Sequence, residues 1–218
     1  MRIVIDLQGA QTESRFRGVG RYSLAIAKSI IGNSKEHEVI IALNGLFLDT
    51  IEPIRAYFDS LLPQDNIRIW YVPGPVRECE PENASRREIA ELLREAFIAS
   101  LQPDVIYITS LFEGFGDNAV SSIGVFDQQT PVCVTSHDLI PLQHPQLYLD
   151  PNPAYKQYYM KKLEYLGKAS LLLAISDSSR QEVIENIEFP KDLVANTSEA
   201  AESCFVPLSL TEKQVKQL

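Results

Sequence analysis

Three stretches of this 218-residue sequence carry side chains suited to chemistry. The first is DLQGAQTESRFRGVGRYS (6–23), which comes after the apolar run RIVID. Gly18 and Gly20 would let backbone N–H groups at a helix start approach a ligand, and a helix N-terminus carries partial positive charge suited to phosphate or carboxylate. Arg15, Arg17 and Arg21 concentrate more positive charge there. A plain loop entering a helix would read the same way. The second stretch is SHDLIPLQHP (136–145), where His137 and Asp138 end a strand-like run and Pro141 and Pro145 stiffen the adjoining loop. A histidine so placed can hydrogen-bond a sugar hydroxyl or move a proton near neutral pH. The His-Asp pair can equally cap the next segment. The third is ISDSSRQEVIE (175–185): Ser176, Ser179 and Arg180 could face a cleft, or Asp177 or Ser178 could cap a helix with Gln181 and Glu182 returning a bond.

Several chemistries are disfavoured. The Gly18–Gly20 pair lacks a third glycine, lies about a dozen residues past the strand, and the next strand ends Ala42-Leu43-Asn44 without a ribose-binding acid, which argues against a nicotinamide cofactor. No GxSxG nucleophile turn is present. No Gly-rich GKS or GKT run is present. No two aspartates stand two apart to hold a metal against a diphosphate. Only His144 and Asp150 lie near His137, without zinc-ligand spacing. Cys79, Cys133 and Cys204 are far apart and form no CxxC, the pattern of reduced thiols in a cytoplasmic protein.

The net charge is −9, yet residues 1–35 carry +4 and residues 151–180 carry +3. An acidic chain with two basic islands does not suit a broad nucleic-acid surface. The islands suit a small anionic ligand or a phospholipid surface, or are solvated helix faces. Neither a signal peptide nor an apolar run of about 18 residues is visible. A peripheral contact at the inner face of the membrane is an option for residues 154–168, where aromatics alternate with lysines. Packing onto a sheet competes with it, because Tyr155, Tyr158, Tyr159, Leu163 and Leu166 would fill a helix's inner face.

These groups need a frame. Buried strands are expected at 2–6, 37–43, 67–72, 104–109, 131–137 and 170–176, and helices at 18–31, 50–62, 81–101, 153–167 and 178–188. Such alternation predicts an α/β fold with a doubly wound parallel sheet and right-handed crossovers. Ligands then bind beyond the carboxyl ends of the strands. From Thr197 the pattern decays, and LTEKQVKQL (210–218) reads as a new helix.

Taken together, RIVIDLQGAQTESRFRGVGRYS (2–23), VTSHDLIPL (134–142) and YYMKKLEYLGKASLLLAISDSSRQEVIE (158–185) resemble the amino-terminal domain of group 1 glycosyltransferases. This GT-B family includes bacterial mannosyl- and other hexosyltransferases, and the likeness is strongest to builders of O-antigen and related cell-surface glycans. The resemblance implies a Rossmann-like acceptor-side domain over 1–205, with 206–218 starting the connection to a carboxy-terminal, donor-binding domain missing from the sequence. It implies a nucleotide-diphospho sugar donor, a glycan or lipid-linked acceptor, retention of configuration, and no cofactor or metal. It places Gly18 and Gly20, with Arg17 and Arg21 as neighbours, close to the donor phosphates, and His137 beside the transferring sugar. The tail ANTSEAAESCFVP departs from the asparagine–glycine turn common at the domain boundary. Alone, such a half is expected to be inactive. The competing reading is a non-catalytic Rossmann-like binding or scaffolding domain.

Overall fold

The computed structural model describes residues 1–200. Cys204, the connection at 206–218 and the helix expected at 210–218 lie outside the described residues. Seven strands form one parallel sheet in the order β3-β2-β1-β4-β5-β6-β7: β1 Arg2–Asp6, β2 Glu38–Asn44, β3 Ile67–Trp70, β4 Val105–Ile108, β5 Val132–Ser136, β6 Leu171–Ala174 and β7 Val194–Asn196. Seven helices connect them: α1 Gly18–Asn33, α2 Leu48–Phe58, α3 Ala84–Ser100, α4 Ile140–Gln143, α5 Pro145–Tyr148, α6 Pro153–Leu166 and α7 Asp177–Asn186. The doubly wound α/β fold expected from the alternation is therefore present. Strand β7 and the short α4 and α5 were not expected. β7 has three residues, of which only Val194 is buried, too little for a periodic signal.

Period-2 alternation divides the core. Ile5, Ile41, Leu43, Ile67 and Tyr107 point to the face covered by α1 and α2, where they meet Ala27, Ile51, Ile54 and Phe58. Val4, Ala42, Trp70, Ile106, Val134 and Leu172 point to the other face, covered by α3, α6 and α7 through Ala90, Ile98, Tyr158, Leu166 and Val183. Because both faces are covered, the strands read as continuous apolar runs.

A layer of buried polar groups lies across the carboxyl end of the sheet. Arg94 of α3 is 1% exposed. Its Nε donates to Asp6 Oδ2 at 2.7 Å, its Nη2 donates to the same oxygen, and its Nη1 donates to Ser122 O at 3.2 Å. Gln8 donates to the Asp6 carboxylate and to Val120 O, and accepts from Val120 N and Asn44 Nδ2. Glu95 accepts from Ser122 Oγ and the N–H groups of Val125, Phe126 and Asp127. Arg87 Nη1 donates to Val76 O, Gly114 O and Ala119 O. The long segment 109–131, without a helix or strand, is thus fixed largely by side chains from the turn after β1 and from α3 rather than by its own backbone. A buried charge is tolerated when paired and hydrogen-bonded, and costs several kcal/mol when one partner is removed. Arg94→Met should therefore destabilise the fold by about 3–5 kcal/mol in urea unfolding, with Asp6 left buried beside Gln8 alone. A loss below about 1 kcal/mol would show that the pair is dispensable.

Candidate functional site

Strands β1 and β4 are neighbours, but the chain continues from them toward opposite edges of the sheet. Beyond their carboxyl ends lies the switch-point crevice where doubly wound sheets bind ligands. After β1 the chain makes two 3-10 turns, Gln8–Ala10 and Glu13–Phe16, before α1. Arg17 closes the second turn and is the N-cap of α1, with no side-chain cap hydrogen bond. The first N–H groups of the helix, on Gly18, Val19 and Gly20, thus have no capping side chain and retain the positive end of the helix dipole.

The two glycines differ in role. A Cβ on Gly20 would lie 2.3 Å from Arg15 Cα and 2.5 Å from Ser14 O, so this glycine lets α1 pack against its own preceding turn. A Cβ on Gly18 would meet nothing within 4 Å. The close approach to a ligand expected of both is open at Gly18 and occupied by the chain itself at Gly20. Arg17 and Arg21 are exposed, and their guanidinium groups make no hydrogen bond or ion pair with the described residues. Arg15 is spent elsewhere, pairing with Asp49 at 2.9 Å and covering the Phe16 ring.

Tyr22, one turn into α1, joins this helix start to the second stretch. Its ring stands edge-on to His137 with centroids 5.4 Å apart. His137 Nε2 is 3.2 Å from Thr109 O. A carbonyl only accepts, so Nε2 carries the hydrogen and Nδ1 keeps a lone pair for a hydroxyl donor. Burial holds the imidazole below its ordinary pKa, partly offset by the Thr109 carbonyl and the charges of Glu199 and Asp138. It is therefore neutral at pH 7. Asp138 is exposed and accepts from Ile140 N, at the start of α4.

The third stretch is mostly structural. Ser176, not Asp177 or Ser178, is the N-cap of α7 and accepts from Ser179 N at 3.1 Å. Ser179 Oγ donates to His137 O at 2.6 Å, tying α7 to the end of β5. Arg180 donates from Nε to Val194 O and from Nη2 to Lys191 O, so its guanidinium holds β7 instead of facing the crevice. In the second basic island three lysines are engaged within the fold, while Lys168 stays exposed beside the Tyr165 ring. Lys162 is fully buried on Ser121, Lys161 binds Glu91 and Lys156 binds Asp150. Three contributors were missed from sequence: Tyr22, Thr109 and Glu113. Tyr22 and Thr109 lie within the helix expected at 18–31 and the strand expected at 104–109, where nothing marks them for a site, and Glu113 sits in a segment with no periodicity to reveal where it folds.

Two measurements check these assignments. Gly20→Ala should cost about 1–3 kcal/mol by overpacking against backbone, while Gly18→Ala should leave stability unchanged or slightly raised in thermal unfolding. For His137 the folded imidazole binds a proton less readily than the unfolded one. Its contribution is favourable above about pH 6.5 and is lost as pH falls below that. His137→Gln should accordingly lose less Tm than the unmodified chain between pH 7 and pH 5, and equal losses would contradict the buried neutral imidazole.

Comparison with known proteins gives the family. The glycosyltransferase family 4 model matches residues 16–195. A serotype-specific mannosyltransferase WbdA of Escherichia coli is 36% identical over 220 residues, covering 100% of this chain and 26% of that protein. The O-antigen chain mannosyltransferase B of Escherichia coli is 24% identical over 197 residues, covering 89% of this chain and 46% of that protein. The chain spans about a quarter to a half of the length of these relatives. The UDP-GlcNAc 2-epimerase of Neisseria meningitidis, solved with UDP-GlcNAc bound, superposes with a TM-score of 0.55 over 90% of this chain and 46% of its own, at 12% identity, which speaks to the fold alone. With the matched segment running from the turn before α1 through β7, this chain belongs to glycosyltransferase family 4.

Proposed function

We propose that this chain is the acceptor-side domain of a hexosyltransferase that moves mannose from a nucleotide-diphospho sugar to a glycan or lipid-linked acceptor in O-antigen synthesis. The observation that carries the reading is the contact between Tyr22 and His137, which brings an uncapped helix start and a neutral histidine to one crevice. Family membership and the mannosyltransferase relatives support the substrate class.

In sugar transfer from a nucleoside diphosphate, positive charge develops on the sugar ring and negative charge on the leaving phosphate. The N–H groups at the start of α1, with Arg17 and Arg21, would receive the leaving diphosphate. Donors fixed in advance contribute about 3–4 kcal/mol each to stabilising such a charge. This chemistry assigns the phosphate to protein donors and asks for no divalent metal. His137 Nδ1 would accept a hydrogen bond from a sugar hydroxyl while Nε2–H stays on Thr109 O. A second, donor-binding domain would close over the crevice and exclude water, which otherwise competes as acceptor. We assign residues 1–205 to the first domain, and expect it to be inactive without the second. Contact with a membrane surface receives no support from α6, because Lys156, Lys161 and Lys162 are bound within the chain. No helix among the described residues is long and apolar enough to cross a membrane.

The test uses the full-length enzyme with a nucleotide-diphospho mannose and a mannosylated acceptor. His137→Ala should lower kcat about a hundredfold or more. Arg17→Ala with Arg21→Ala should raise the donor KM, and a chelator should leave turnover unchanged. Proton NMR of the first product should show the donor's anomeric configuration. Near-normal turnover in the His137 variant removes the site assignment. Binding of donor and acceptor without transfer under any condition favours the scaffolding alternative.

A further inference from the structure

Glu113 is a carboxylic acid buried in the switch-point crevice, 7% exposed, that the proposed chemistry does not use. It lies in the segment after β4, yet its main partners come from the turn after β1. Oε2 accepts from Thr12 Oγ1 at 2.9 Å and from Ser14 Oγ at 3.2 Å, and Oε1 accepts from Ser110 Oγ at 2.9 Å. We infer that Glu113 is a positioning residue: it clamps the Glu13–Phe16 turn and so fixes the first N–H groups of α1 for an anionic ligand. The inference rests on the reading that those groups receive the donor diphosphate.

The mechanical chain is short. Thr12 and Ser14, both held by Glu113, belong to one capped turn, since Thr12 Oγ1 also accepts from Ser14 N. Ser14 O accepts from Arg17 N at 2.9 Å, and Arg17 is the residue at which the turn ends and α1 begins. On its far side the turn packs against Gly20, where no Cβ fits. The turn is thus trapped between a carboxylate and a helix, and only the carboxylate side is adjustable. The base of the clamp is firm. Gly114, next in sequence, has φ +103, a Cβ there would stand 2.2 Å from Ala119 O, and its carbonyl is held by Arg87. Burial pushes the Glu113 carboxyl above its ordinary pKa in spite of three hydroxyl donors, so placing it there is costly. An apolar residue would fill the space at less cost, but it would supply no directional bonds to the turn.

The experiment measures nucleoside diphosphate affinity of the full-length protein by calorimetry, beside donor and acceptor KM. Glu113→Ala should weaken the nucleoside diphosphate about tenfold or more and raise the donor KM in proportion, with the acceptor KM unchanged. Glu113→Gln, which keeps one acceptor oxygen and replaces the other with an NH2 donor, should recover part of the loss. The Thr12→Val/Ser14→Ala variant, which leaves the carboxylate in place, should match Glu113→Ala, and combining all three should add nothing, because the groups act as one unit. Full additivity, unchanged nucleoside diphosphate affinity, or an equal rise in acceptor KM would overturn the inference. Hydrogen exchange over residues 12–22 decides the clamp without reference to sugar transfer: it should quicken in each variant while β4 stays protected, and unaltered exchange would also overturn it. If the unmodified protein binds no nucleoside diphosphate, the proposed function fails, and the exchange result still stands or falls by itself.

Discussion

The ion pair between Asp6 and Arg94 is the constraint from which the functional edge of this domain is built. Asp6 ends the central strand, and Arg94 reaches it from α3 through a doubled contact to one oxygen. Two charges removed from water need each other and need their remaining hydrogen bonds filled. Gln8 fills those on the carboxylate and Ser122 O takes one from the guanidinium. Gln8 passes the constraint to Asn44 at the end of β2 and to Val120 in the long segment after β4. The carboxyl ends of β1 and β2 and the segment 109–131 are therefore set relative to one another by side chains from β1, β2 and α3.

This explains how a stretch of more than twenty residues without regular structure can carry part of a site. Backbone groups in an unpaired segment must find partners, and on a buried edge those partners have to be side chains. Arg87 alone occupies three carbonyls, and Glu95 collects three N–H groups. The wall so formed positions Thr109, which sets the tautomer of His137, and Glu113, which holds the turn before α1. Rigidity in this segment is bought with buried charge, not with helix or strand.

The frame was legible in the sequence because strands covered on both faces leave unbroken apolar runs, and six of the seven were found that way. β7 was missed because three residues with one buried side chain carry no period. The glycines and arginines at the start of α1 and the histidine after β5 were singled out by residue type, and Tyr22 of α1 meets His137 edge-on. Gly20 shows what type alone leaves out: beside any approach of its N–H to a ligand, it lets α1 pack against Ser14 and Arg15, where no Cβ fits. Arg180 misled, since a cation near a strand end looks available until its carbonyl partners on β7 and the preceding turn are known. Glu113 could not be found, because the partners that tie it to the turn before α1, Thr12 and Ser14, lie about a hundred residues away in sequence.

Charge counting meets the same limit, and the two basic islands show why. Both looked equally able to attract an anion. In the second, Lys161 and Lys156 pair with Glu91 and Asp150 and Lys162 is buried on Ser121, which leaves Lys168 exposed over the Tyr165 ring, so little of the local excess of charge reaches the surface. In the first, Arg15 is paired, but Arg17 and Arg21 stay exposed beside helix N–H groups that no side chain caps. A solvated guanidinium exerts little force by itself across water, but next to a fixed helix dipole it adds to a field already oriented. Within the described residues, exposed arginines and uncapped helix N–H groups coincide at the start of α1. The overall charge of −9 opposes an anion at long range, so only such a local coincidence of fixed dipole and cation can offset it.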